Sequence, residues 1–118
     1  MNYSEDRLGK MWREQLEFQL NFFDLSTLSM PERIQFIKDN ALGAYRELGE
    51  ILYELPTKSH RSDVVQNNDV QKAREEAIDT LKFLFNICIL LEMTPEMLHE
   101  MFEEKSKIVR RRFEKEMK

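Results

Sequence analysis

Apolar residues recur along this chain at intervals of three and four, and no stretch alternates apolar with polar as a half-buried strand would. The pattern predicts four helices. Leu8, Trp12, Leu16, Leu20 and Phe23 mark a first helix over about 5–23, with Ser4 placed to cap it. Ser29 and Glu32 have the spacing of a capping box, and Pro31 suits a first helical turn. The second helix they open carries the stripe Ile34, Ile37, Ala41, Ala44, Leu48, Ile51 and Leu55 and ends at Pro56. Residues 56–68 are polar and rich in turn formers, which predicts a loop. A third helix is expected over about 69–92, and Thr94 and Pro95 start a fourth that runs to about Glu116.

Long helices joined by short links predict an all-α fold, an antiparallel four-helix bundle in a single domain spanning 1–118. In the third helix, Phe83, Phe85, Ile87, Ile89, Leu90 and Leu91 point around most of the circumference, more than three neighbours from one small chain can cover. Exposing two or three such side chains forfeits several kcal/mol at about 25 cal/mol per Å². A homodimer is therefore expected, with a tetramer as the alternative.

Composition narrows the function classes. A single cysteine excludes an intrachain disulfide framework and a cysteine-based zinc site, leaving Cys88 as a small core residue. The opening MNYSEDRLGK has no signal-peptide apolar region, and the run Phe83–Leu91 is too short to span a membrane, so a soluble, cytoplasmic protein is expected. A formal charge of −4 argues against a nucleic-acid partner. The basic cluster KIVRRRFEK is diluted by Glu103, Glu104, Glu114 and Glu116.

Charged positions on the apolar helices carry the candidate chemistry. Glu47 and Glu50 lie three residues apart beside the stripe of the second helix, with Glu54 extending the acidic edge and Gly43 leaving space one turn earlier. Glu76 and Asp79 repeat the spacing on the third helix, where Phe83 and Asn86 continue the same face. On antiparallel neighbours these two pairs would bring four carboxylates together. Such a group repels itself and raises its own pKa values unless a hard divalent cation binds, and Mg2+ suits carboxylates, water and phosphate. Either spacing alone is common on solvated helices.

With RELGE (Arg46–Glu50) and EAID (Glu76–Asp79) 25 residues apart, the chain resembles the all-α NTP pyrophosphatases, the superfamily of MazG proteins, dCTP pyrophosphatases and dimeric dUTPases. AYRELGEILYELP and the long segment from Arg74 to Arg112 are most similar to the dimeric dUTPase branch. The resemblance implies Mg2+-dependent hydrolysis of a nucleoside triphosphate, dUTP favoured, to monophosphate and pyrophosphate. It implies that Glu47, Glu50, Glu76 and Asp79 hold the metal and activate water, with Glu47 as the water-orienting group. Lys105 and Arg112, seven residues apart on the fourth helix, match phosphate-contacting positions. Asn21 matches the base-facing end of the first helix, and Asn86 matches a polar position that reaches the sugar; a buried amide that specifies the bundle is the alternative for Asn86. Lys58, with His60 and Arg61, is placed to close over a triphosphate, or to form an ordinary connector.

The departures concern the base. Dimeric dUTPases carry tryptophans where this chain has Pro56, Thr57 and Lys58, asparagines where it has Ser106 and Val109, and a glutamine where it has Glu17. A catalytically weak helical module that binds nucleotide or a protein partner is the competing expectation.

Overall fold

A computed structural model describes residues 6–55 and 67–117, and among them the chain is all-α, with four helices and no strand. They are α1 (Arg7–Gln19), α2 (Met30–Glu54), α3 (Asn67–Leu90) and α4 (Pro95–Glu116). No described helix is long and apolar enough to cross a membrane.

Local chemistry sets the boundaries. At α2 the capping box forms in full, the Ser29 hydroxyl accepting from the Glu32 N–H and the Glu32 carboxylate accepting from the Ser29 N–H. Thr94 caps α4 by accepting from the Met97 N–H. At α1 the described cap is Asp6, whose carboxylate accepts from the Gly9 N–H at 2.6 Å; Ser4 lies outside the described residues. This helix stops at Gln19, earlier than its apolar spacing predicts. Asn21 donates its side-chain amide to the Phe18 carbonyl and its backbone N–H to the same oxygen, closing the last turn. The end of α3 is a Schellman motif: Met93 N–H reaches Cys88 O, Glu92 N–H reaches Ile89 O, and Glu92 takes the left-handed conformation (φ 60°) usually given to glycine.

The pairings Arg33–Leu90, Asn40–Asn86, Gly43–Phe83 and Glu47–Glu76 fix α2 and α3 as antiparallel along their length. Small residues, Gly43, Ala44 and Ala73, are buried between them. The inner face of α2 is rotated by about one position from the predicted stripe, because Ile34 and Leu48 are exposed while Arg33, Asn40 and Glu47 turn inward. Buried Arg33 donates to the carbonyls of Leu90 (2.6 Å) and Leu25 (3.2 Å), tying the start of α2 to the end of α3 and to the preceding link.

Against this pair α1 runs antiparallel to α3. Trp12 packs on Phe85 with ring centroids 5.3 Å apart, and together with Ile89 they form the buried core, flanked by Leu8, Leu16, Cys88 and Leu98. Burial pushes the Cys88 thiol up. Leu20, part of the predicted stripe, is exposed, and Gln19 is buried in its place.

The packing is compatible with a bundle, but among the described residues the α4 backbone comes close to that of α1 and not to α2 or α3, with Leu98 reaching the core that Trp12 shares with Phe85 and Ile89. The radius of gyration is accordingly 18.3 Å, against roughly 13 Å for a compact domain of about 100 residues. Of the six apolar residues expected to overrun what one chain can cover, Phe85, Ile89 and Leu90 are buried and Phe83 and Ile87 half-buried, and Leu91, just past the end of α3, is exposed; Ile78 and Leu84 on α3 are exposed too, as is most of α4.

Candidate functional site

Of the four carboxylates expected to meet, three come together and Asp79 does not. One carboxylate oxygen each from Glu47, Glu50 and Glu76 lies within 4.8 Å of the other two. Glu47 and Glu76 are half-buried and Glu50 is exposed. Oε2 of Glu47 is buried with no hydrogen-bond partner. Side-chain hydrogen bonding to Glu47 and Glu50, together with desolvation and like-charge repulsion, pushes the Glu76 carboxyl up to about 8. That shift favours the protonated form of Glu76 at neutral pH, which lessens the repulsion among the three carboxyls. Asp79 is outside this triad; it is exposed and lines the adjoining cleft with Glu47.

That cleft, of about 270 Å³, is lined by Gln15, Phe18 and Gln19 from α1, Glu47 from α2, and Asp79, Lys82, Phe83 and Asn86 from α3. Gly43 does not leave open space there, since the Phe83 ring fills it. Asn86 is buried at the centre of a ladder across three helices. Gln15 Nε2 donates to its Oδ1 (2.8 Å), its Nδ2 donates to Asn40 Oδ1 (2.9 Å), and Asn40 Nδ2 donates to the Phe36 carbonyl (2.8 Å). One lone pair and one N–H hydrogen of the Asn86 amide stay uncommitted by these bonds.

Other sequence-predicted residues are not gathered here. Asn21 is exposed beyond the end of α1, with its amide turned back to Phe18. Lys105 and Arg112 are exposed on α4, whose backbone does not come close to the acid-bearing helices of its own chain among the described residues. Lys58, His60 and Arg61 lie outside the described residues.

Gln15 and Gln19 are the cleft residues that apolar periodicity overlooks. Gln19 lies seven positions after Trp12, on the same inward face, so a polar residue in phase with the buried tryptophan was the available signal.

The donor set is all hard oxygen, which suits Mg2+ or Ca2+ rather than a thiophilic metal. A cation among the three carboxylates would give Glu47 Oε2 a partner and would displace the proton of Glu76. Exposed acidic groups are also common without one. No known family, no curated protein and no solved structure matches the chain.

Proposed function

We propose that this chain is a Mg2+-dependent nucleoside triphosphate pyrophosphohydrolase, with dUTP the favoured substrate, working as a cytoplasmic homodimer or homotetramer. The reading is carried by the convergence of Glu47, Glu50 and Glu76 from two helices on one small volume beside a cleft. The ExxE and ExxD spacing and its resemblance to all-α NTP pyrophosphatases supply the reaction class. Support for the oligomer comes from exposed Ile78 and Leu84 on α3 and Phe102, Val109 and Phe113 on α4, and not from Phe83, Phe85, Ile87, Ile89 and Leu90, which their own chain largely covers.

In this reading Glu47, Glu50, Glu76 and Asp79 would hold the ion, which would neutralise phosphate charge and lower the pKa of bound water. Glu76 would serve as a ligand in its deprotonated form. Glu47 belongs to both the acid cluster and the cleft, and it orients the attacking water and takes its proton. The water oxygen bonds to phosphorus as the anhydride bond to the departing pyrophosphate breaks. Asn86 presents its remaining amide valences to the sugar, and Gln15 holds that amide in place. Lys105, Arg112, Lys58 and Asn21 are assigned to phosphate and base, which for the two α4 residues requires a second chain.

A second reading, a weak or inactive module that binds nucleotide or protein, is favoured by one observation. Within one chain the basic residues of α4 stay away from the acids. Pyrophosphate release from a panel of deoxy- and ribonucleoside triphosphates, with Mg2+ and with chelator, separates the two. Release that needs Mg2+ supports the enzyme; no release from any triphosphate leaves the module.

A further inference from the structure

Helix α4 is 22 residues long, about 33 Å at 1.5 Å per residue. It packs on α1 through its first turns only, and from Met101 onward every described side chain except Ser106 is exposed. This free length is not uniformly polar. Phe102, Val109 and Phe113 line one shallow groove with Lys105, Ser106 and Arg110, and the three apolar residues are 67%, 63% and 61% exposed. Their spacing of seven and four residues, continued back to Leu98, is that of a helix seam that packs against another helix.

As far as Phe113 the charges on α4 are sorted along its axis; its last turn, Glu114, Lys115 and Glu116, is mixed. Residues 95–104 hold four glutamates and no Lys or Arg, whereas residues 105–113 hold five Lys or Arg and no acid. Two such helices side by side in parallel place acid beside acid and base beside base; antiparallel, each acidic half lies beside the partner's basic half.

We propose that a second copy of this chain covers α4, the two helices running antiparallel about a two-fold axis near Ser106 and Lys107. At 100° per residue Glu103 and Arg110 lie on the same flank of the apolar seam. The two-fold brings Glu103 of each chain beside Arg110 of the other, and sets Phe102 between the other chain's Val109 and Phe113. Ser106, the small residue of the seam, sits at the crossing. Lys105 and Arg112 occupy the opposite flank, outside the seam, which leaves both available for the phosphate role assigned above. This interface specifies the dimer in the reading above and is independent of the nucleotide chemistry.

Sedimentation velocity at micromolar concentration tests it through a charge swap. Glu103→Arg alone and Arg110→Glu alone each place like charges across the axis and should weaken the dimer at least tenfold. The double variant Glu103→Arg/Arg110→Glu restores opposite charges and should recover it. Phe102→Glu/Val109→Glu should give a monomer with unchanged helix content, because both side chains are mostly exposed within their own chain. In a Cys88→Ser background, Ser106→Cys should form an interchain disulfide under mild oxidation. A wild-type monomer overturns both this interface and the dimer. A dimer indifferent to both single charge variants, or lacking the disulfide, overturns the interface and leaves the dimer. A monomer that cosediments with phosphatidylserine vesicles through the same Phe102 and Val109 side chains assigns the stripe to a membrane surface and overturns the proposal.

Discussion

A Cβ placed on Gly43 would stand 2.5 Å from Cε1 of Phe83 and 2.6 Å from its Cζ, so the ring occupies the space a side chain would need. A glycine inside a helix ordinarily costs about 1 kcal/mol relative to alanine, and here that cost lets α2 and α3 close beside Glu47. Gly43→Ala should therefore fail to deliver the propensity gain. Gly43→Val should lower stability by about 1–3 kcal/mol, as overpacking does. Both should disturb activity, because Phe83 lines the cleft. Urea unfolding measures the effect, and a full 1 kcal/mol gain in the alanine variant would show the ring is free to leave.

The Glu76 proton gives a pH signature. The carboxyl is raised from 4.5 to about 8, so between those values the folded chain binds a proton that the unfolded chain has released. Stability from this group is whole below about pH 4.5 and is lost as pH rises through about 8. Glu76→Gln should flatten that decline. An ion at the site competes with the same proton, so stabilisation by millimolar Mg2+ should grow from pH 6 to pH 9. Melting temperatures across that range, with and without Mg2+, read both effects; a wild-type slope identical to that of Glu76→Gln counts against the shared proton.

Arg33 should be a stability residue despite its charge. Its guanidinium bonds two carbonyls, and Leu90, which supplies the nearer one, is fully buried. Arg33→Leu should cost about 2–3 kcal/mol, in the range for buried bonds to a charged group, and Arg33→Lys should recover part of it. Glu92, 3.5 Å from Arg33 but mostly exposed, contributes little through that pair.

Glu92 offers the opposite test. At φ 60° in the Schellman turn it bears the left-handed penalty that glycine avoids. Glu92→Gly should raise stability by up to about 1 kcal/mol without touching the acid cluster. A loss in the same unfolding assay would mean the Arg33 pair outweighs backbone strain.

These residues also show what was readable beforehand. The starts of α2 and α4 follow from a hydroxyl three residues ahead of a free N–H with proline between, a purely local arrangement that sequence displays. The three-residue acidic spacings were equally visible, and the antiparallel packing of α2 on α3 joins Glu47 and Glu50 to Glu76. Less visible was the phase of α2. Its inward positions Arg33, Asn40, Glu47 and Glu54 recur every seven residues and are all polar, so a reading that seeks apolar stripes settles one position away. α3 answers the first two, Arg33 with the Leu90 carbonyl and Asn40 with Asn86, and leaves Glu47 Oε2 unpartnered. Asn86 was legible as a buried amide; that Gln15 and Asn40 claim it depends on side chains 71 and 46 positions away. The course of α4 is set by what it fails to touch, which no local pattern encodes.

The most direct test of the central claim is pyrophosphate release from dUTP by the wild type beside Glu47→Gln, Glu76→Gln and Asp79→Asn. The account predicts Mg2+-dependent turnover in the wild type and losses of about 100-fold or more in Glu47→Gln, the scale for removing a proton-transferring group. It predicts comparable losses in the other two, with melting temperatures in chelator no lower than wild type because like charges have been removed. Full turnover in any of the three variants, or none in the wild type with dUTP or another nucleoside triphosphate, would contradict it.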